Sequence, residues 1–517
     1  MEVLTTTFIA IPMLILFFAI MIGVGLYCRK NATSVDGFVL GGRAVGPWLT
    51  AFAFGTSYFS AVIFVGYAGQ FGWNFGLAST WIGMGNAFIG SLLAWVVLGK
   101  RTRIMTQSLD SKTMPDFFEK RYDSSRIKIF ASIIIFVFLI PYTASLYNGL
   151  SSLFNNVFEI DYWVIVVIMA VLTGIYVIFG GYMATAINDF IQGIIMLVGI
   201  VAVIFAVLKD NGGLSLAVKS LSDTAGSEFV STFGPNPTFL FFVVMLTSLG
   251  TWGLPQMVGK FYSIKDQGAV KKGTIISTIF ALIVAGGCYF LGGFGKLYGK
   301  EMLDSGYITQ KGVMYDKVVP TMLGDLAPII VATVIVLVLS ASMSTLSSLV
   351  LTSSSTLTLD VIKPVVLKKK KFTDKHSVFI MRMFIVFFIV LSAAIAILKD
   401  TVWKDSVFIA QMMVVSWGAL AGAFLAPFLY GLFWKKATRA AVVSCFVFGT
   451  GLEIIQLCIS VGWFKFTDNV LSFVFTNSLY SGVFAMVGGL VIFPIVSLFT
   501  KKTRPENCDK KFECFNK

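Results

Sequence analysis

Thirteen stretches of this chain are apolar for about the length a helix needs to cross a bilayer, roughly 20 residues. They run near 7–28, 47–72, 77–99, 127–153, 160–180, 184–207, 236–257, 273–294, 326–360, 378–397, 408–432, 438–460 and 478–500. Inside hydrocarbon no water is available to backbone amides, so each stretch must satisfy its own hydrogen bonds as a helix. The expected fold is therefore an all-α polytopic membrane protein with 13 transmembrane helices. Charge agrees: only 13% of the 517 residues are charged, against about 25% in soluble domains. The first stretch, Phe8 to Tyr27, is long enough to span and shows no cleavage site, so it reads as a helix and not as a signal peptide. The ninth is too long for one simple crossing and is expected to tilt or to extend into the cytoplasm.

An odd number of crossings puts the termini on opposite faces. With the N-terminus out and the C-terminus in, 31 of the 40 Lys and Arg residues are cytoplasmic. The outer face keeps Lys209, Lys219, Lys296, Lys300, Lys311, Lys317, Lys399, Lys404 and Lys465. The excess of positive charge on cytoplasmic loops selects this orientation. It also reads the net charge of +14 as topology and not as a nucleic-acid surface, and the Lys368–Lys371 run as a topology anchor ahead of a lipid-signalling site. Cys28, Cys288, Cys445 and Cys458 lie in or beside apolar segments and act as small hydrophobes, while Cys508 and Cys514 sit in a basic tail that a reducing cytoplasm keeps as thiols. There is one histidine, His376, so His-rich metal sites are excluded, and no Ser-His-acid set falls at a usable depth. The chain does not read as an enzyme.

Function in a membrane protein sits where the apolar pattern is violated. In the second stretch Gly55, Thr56, Ser57 and Ser60 cluster mid-span, and the seventh carries Thr247, Ser248, Gly250, Thr251, Gly253 and Pro255. Gly weakens a helix, hydroxyls take over freed backbone bonds, and Pro255 has no N–H to continue the ladder. Close packing through small residues accounts for either cluster alone. Two interrupted spans five positions apart point instead to two five-helix repeats, inverted by the odd offset, with a binding site between the breaks. The expected division is 1–46 (first helix and loop), 47–207 (first repeat), 208–235 (outer loop), 236–432 (inverted second repeat), 433–500 (two additional helices) and 501–517 (cytoplasmic tail).

In the ninth stretch Ser344, Thr345, Ser347 and Ser348 place hydroxyls at i, i+1, i+3 and i+4, with Ser344 and Ser348 on one face. Uncharged oxygens at this density suit a hard cation that must also leave; back-bonding and polar glue between helices are the structural alternatives. Asp189 lies about one turn inside the sixth stretch, with Gln192 at i+3 and no Lys or Arg on that helix at its depth, so its missing partner reads as an ion. Glu453, in the twelfth stretch, lies outside the ten-helix core and is the weaker case.

The residues resemble the sodium:solute symporters, a family that includes sodium/proline, sodium/glucose, sodium/iodide, sodium/monocarboxylate and sodium/sialic acid carriers. The similar segments are Gly41–Thr50, Thr113–Arg121, Gly180–Gln192 and Ala341–Ser347, and the likeness extends over about residues 5–500. It implies alternating access driven by sodium as coupling ion, in a multi-pass protein of the plasma or cytoplasmic membrane whose partners are a co-transported solute and the lipid, with no obligatory protein partner. One sodium site would use the carbonyls of Thr56, Phe59 and Ala341 with the hydroxyls of Ser344 and Thr345. A possible second sodium would use Asp189, Ser344, Ser347 and Ser348.

The resemblance says less about the solute. Proline carriers have an acidic residue where this chain has Tyr58, and an aromatic pair where it has Thr247 and Thr251. Sialic acid carriers hold the carboxylate with an arginine in the fourth span, and residues 129–160 contain none. The run Thr56–Val62 is nearest to the anion and monocarboxylate branch. Candidate solute contacts are Tyr58, Ser60, Gln70, Tyr142, Ser145, Thr251 and Gln256; a pocket of hydroxyls and a helix N-terminus supplies donors to an anion without arginine. Proton coupling through Asp189 is the rival among transporters. A lipid enzyme lacks a catalytic set, and a sensor would need an appended module longer than the 17 residues after 500.

Overall fold

The structure, a computed structural model, describes residues 2–158, 160–310, 312–324, 326–366, 373–401, 408–463 and 470–516. The Lys368–Lys371 run and Lys311, Lys404 and Lys465 lie outside the described residues. The chain is mostly helical, and its one sheet among those residues is the small hairpin Ile308–Thr309 with Gly312–Val313.

Ten helices among the described residues are long and apolar enough to cross a membrane, or 11 when the pair Pro237–Gly253 and Pro255–Ser263, bent by 56°, is taken as one. This is fewer than the 13 apolar stretches, for two geometric reasons. Val62–Ser108 and Tyr162–Asp210 each run on as one bent helical stretch, of 47 and 49 residues, each more than twice the roughly 20 residues of one crossing. Pro47–Tyr58, with 12 residues, is too short alone. Within Tyr162–Asp210 the direction changes at Gly181 (φ 55°, ψ −147°), between the predicted fifth and sixth stretches.

The two interrupted stretches are built alike. In the first, Pro47 opens a helix that stops at Tyr58; Phe59 is extended (φ −91°, ψ 111°). The carbonyl of Ser60 then starts the next helical run, accepting from the amides of Ile63 and Phe64 at 3.0 Å each. In the second, Asn236 caps the helix Pro237–Leu249 by accepting from Phe239 N at 3.0 Å. The tight turn Gly250–Gly253 follows, then extended Leu254 (φ −81°, ψ 121°), and Pro255 opens the next helix. Gly253 allows close approach: a Cβ there would lie 2.9 Å from the Ala421 backbone. A short parallel bridge ties the two broken segments together, with Val45 N donating to Ser263 O and Lys265 N to Val45 O, each at 3.1 Å.

Burial shows which helices are central. The serine-rich helix (Pro328–Val365) and Met413–Phe433 have 78% and 89% of their most apolar stretch buried by protein, against 22% for Thr5–Asn31. The serine-rich helix packs on Tyr162–Asp210, Ser125–Phe158 and Glu2–Tyr27, while Phe408–Phe433, Arg439–Ser460 and Ser478–Phe499 form a mutually packed group. Glu453 is fully buried in that group, against Gly418.

On the face expected to be cytoplasmic, Lys128 Nζ reaches Glu119 (2.9 Å), Asp116 (3.2 Å) and Asp360 (3.4 Å). Buried Arg121 donates to the carbonyls of Gly431 (2.8 Å) and Trp434 (2.9 Å) and lies 5.0 Å from the Phe512 ring. The tail helix Cys508–Phe512 is thus docked on this face. All six cysteines are free.

Gly181 gives the fold its most direct test. Its conformation is essentially restricted to glycine, and a Cβ would lie 2.8 Å from Phe38 O. Gly181→Ala is expected to cost about 1–3 kcal/mol, read as a lowered unfolding temperature in detergent; an unchanged value contradicts this geometry.

Candidate functional site

The break after Tyr58 leaves carbonyls of the Pro47–Tyr58 helix without helical partners, and the serine-rich helix supplies donors for them. Ser344 Oγ donates to Thr56 O (3.2 Å) and Ala341 O (3.0 Å). Thr345 Oγ1 is shared among Thr56 O (3.3 Å), Phe59 O (3.3 Å) and Ala341 O (3.1 Å). All five residues expected for the first sodium are therefore brought together, and all are buried. Thr56 offers only its carbonyl, because its own hydroxyl is turned back on Phe52 O at 2.9 Å.

The donor set is uncharged and made wholly of oxygen. A hard cation such as calcium sits about 2.3–2.6 Å from each oxygen, which puts neighbouring oxygens at right angles roughly 3.3–3.7 Å apart. The 3.0–3.3 Å separations here are slightly tighter. A cation of that size would need only a small expansion of this set. Since the oxygens come from the first break and from the serine-rich helix, the same expansion bears on how those two segments sit together.

The second set is organised differently. Asp189 and Ser348 lie close together, but a lysine stands between them. Lys260 Nζ donates to Ser348 Oγ at 3.0 Å and lies 3.5 Å from Asp189 Oδ2. Ser348 also shares a hydrogen bond with Ser57 at 2.9 Å. Ser347 is turned onto Ser344 O at 2.9 Å. Asp189, Lys260 and Ser348 are all buried. Sequence reasoning assigned the missing partner of Asp189 to an ion, because its own helix has no cation; the structure supplies Lys260 from the far side of the second break. Hydropathy ends the seventh apolar stretch at residue 257 and so leaves Lys260 out of it. A lysine five residues beyond Pro255, with an otherwise unpaired intramembrane carboxylate elsewhere in the chain, is the available signal. The neighbouring Asn188 and Gln192 lean on the first helix, through Met21 O (3.3 Å) and Met21 Sδ (3.4 Å).

The expected solute contacts are scattered more widely. Ser60 is fully buried at the first break, and its hydroxyl has no hydrogen-bond partner among the described residues. Gln256, just past the second break, has neither amide atom paired there. Tyr142 stands edge-on to Trp417 with centroids 6.0 Å apart. Ser145 is turned onto Tyr142 O at 2.7 Å, and Thr251 onto Ser248 O at 2.8 Å, so neither hydroxyl is free. Gln70 is half-buried, ten residues from Ser60, about 15 Å along a helix. The side chain of Tyr58 lies outside the described residues. A narrow cavity of about 50 Å³ connects Gln256, Lys260 and Ser348 with Tyr182 and Thr113.

Comparison with known proteins agrees with this architecture. The profile described as "Sodium:solute symporter family" matches residues 38–449. Sodium/proline symporters of Staphylococcus aureus are 29% identical: that of strain bovine RF122 / ET3-1 over 511 residues and that of strain JH9 over 507, each covering 95% of this chain and 92% of the relative. A Na+-coupled sialic acid symporter, solved in a substrate-bound outward-open state, superposes with a TM-score of 0.77 at 18% identity. The match covers 95% of this chain and 97% of that one, so the fold is shared.

The Lys260–Asp189 pair yields a stability prediction. Removing one partner of a buried ion pair costs about 3–5 kcal/mol, whereas removing both costs much less. Lys260→Met is expected to lower the detergent unfolding temperature, and adding Asp189→Asn to recover most of the loss. Equal losses in single and double variants contradict the pairing.

Proposed function

Because the chain belongs to the sodium:solute symporter family, and is thus a multi-pass cell-membrane protein that couples solute movement to sodium, we propose that it takes up a small organic anion, such as a monocarboxylate or a sugar acid, by alternating access. The proposed frame is the one expected from the sequence: 13 crossings, N-terminus out, C-terminus in, and a five-plus-five inverted core within 47–432. The observation that best supports it is the convergence of Thr56, Phe59, Ala341, Ser344 and Thr345, which joins the first break to the serine-rich helix through oxygens alone. We assign the coupling sodium to these five. Binding there favours one arrangement of the two halves, which is how an ion gradient does work on a conformational equilibrium. Each charge moved through the whole membrane potential supplies about 2.3 kcal/mol per 100 mV.

The solute assignment rests on donors left open at the breaks. Ser60 and Gln256 are buried and unsatisfied among the described residues, a costly state that a polar solute relieves. Ser60, Gln256 and Tyr142 are the contacts we favour; Tyr58, Gln70, Ser145 and Thr251 complete the proposed set. A second reading, proline or another amino acid, is favoured by the Staphylococcus aureus relatives. Tyr58, Thr247 and Thr251 weigh against it, because they replace the acid and the aromatic pair associated with proline carriers.

A thermal-shift screen of purified protein separates the two readings. A ligand at about 100 times its Kd stabilises by about 2.7 kcal/mol. An organic acid is expected to raise the unfolding temperature, and only with sodium present; a shift by proline alone selects the second reading. In proteoliposomes, replacing sodium by choline is expected to abolish uptake of the solute so found at acid and neutral pH alike, and sodium-independent uptake contradicts the reading. Ser344→Ala is expected to raise the sodium concentration for half-maximal uptake about tenfold, the equivalent of about 1.4 kcal/mol; an unchanged requirement makes the serine a packing residue.

A further inference from the structure

We propose that Lys260 is a built-in cation at the second oxygen set, so that this chain moves one sodium with each solute where the set's composition alone would allow two. This rests on the sodium-coupled reading above. Asp189 and Ser348 are two of the residues whose oxygens were expected to hold a second sodium, and the Lys260 ammonium already uses both. It donates to Ser348 Oγ at 3.0 Å and lies 3.5 Å from Asp189 Oδ2, with both charged groups buried. Ser347, a third member, spends its hydroxyl on Ser344 O at 2.9 Å.

Charge balance carries the argument further. One carboxylate and one ammonium leave the set neutral, and a sodium added there would face an ammonium at close range in a poorly screened interior. Asp189 Oδ1 has no hydrogen-bond partner among the described residues, but one open oxygen beside a positive charge is a poor seat for a second cation. The first set has no charged member and takes a sodium without this penalty. A tethered ammonium also differs from an ion in what it can do. It neutralises Asp189 throughout the cycle and cannot be released, so it contributes no gradient energy. Through the hydrogen bond of Ser348 to Ser57 at 2.9 Å, it still links the second break to the first.

The test is the number of sodium ions bound by the purified full chain, measured with radioactive sodium at saturation and alkaline pH, where protons compete least for Asp189. About one ion per chain is expected for the wild type and for Lys260→Arg. Lys260→Gln, which removes the ammonium and keeps the carboxylate, is expected to bind about two, and Lys260→Gln with Asp189→Asn about one. Two ions on the wild type, or one on Lys260→Gln, overturns the proposal. The wild-type value decides by itself should Lys260→Gln not fold. No bound sodium at all overturns the assignment of the first site instead, so the two failures are told apart.

Discussion

Everything in this structure is arranged around a few backbone carbonyls that have lost their helix. Where the Pro47–Tyr58 helix stops, Thr56 O and Phe59 O need donors, and within hydrocarbon neither water nor a neighbouring turn supplies them. Ser344 and Thr345 do so at 3.2–3.3 Å. That requirement explains why the serine-rich helix is so deeply buried at Ser344 and Thr345. A continuous helix in place of the break would leave those hydroxyls nothing to do but turn back on their own backbone. The break is therefore the weak point of the fold, and it is where we propose that sodium binds.

Around it the protein uses two kinds of polar economy. The first oxygen set is uncharged, so it is tolerable when empty, because its hydroxyls and carbonyls satisfy one another. The second involves full charges, and there Lys260, just past the second break, meets Asp189 of Tyr162–Asp210 deep in the protein. Such a pair contributes little net stability against an apolar replacement, but it is costly to break. It also ties the segment after Pro255 to the helix that follows Gly181. The Val45–Ile264 bridge fixes the same segment from the other side.

Much of this was legible in the sequence, for identifiable reasons. The break at Phe59 is announced by Gly55, Thr56, Ser57 and Ser60 only together with the matching cluster in the seventh stretch, since close packing accounts for either alone. The turn at Gly181 fell in the gap between two apolar stretches. Ser344, Thr345, Ser347 and Ser348 stand out as hydroxyls at i, i+1, i+3 and i+4. The carbonyls of Thr56, Phe59 and Ala341 could not be read from side-chain chemistry, since any residue has a carbonyl; they came from the family resemblance. Lys260 was hidden because hydropathy ends a span at its first charge, whereas here the helix after Pro255 carries that charge back into the protein. Tyr142, Ser145 and Gln70 were chosen by residue type, and type says nothing about whether a hydroxyl is already spent, as that of Ser145 is.

The central claim is that sodium joins the first break to the serine-rich helix. Amide hydrogen exchange of the purified protein, in sodium and in potassium at equal ionic strength, tests it without knowledge of the solute. The account predicts slower exchange in sodium at residues 57–63 and 341–348, and loss of that difference in Thr345→Val. Identical exchange in both salts, or protection that survives Thr345→Val, would contradict it.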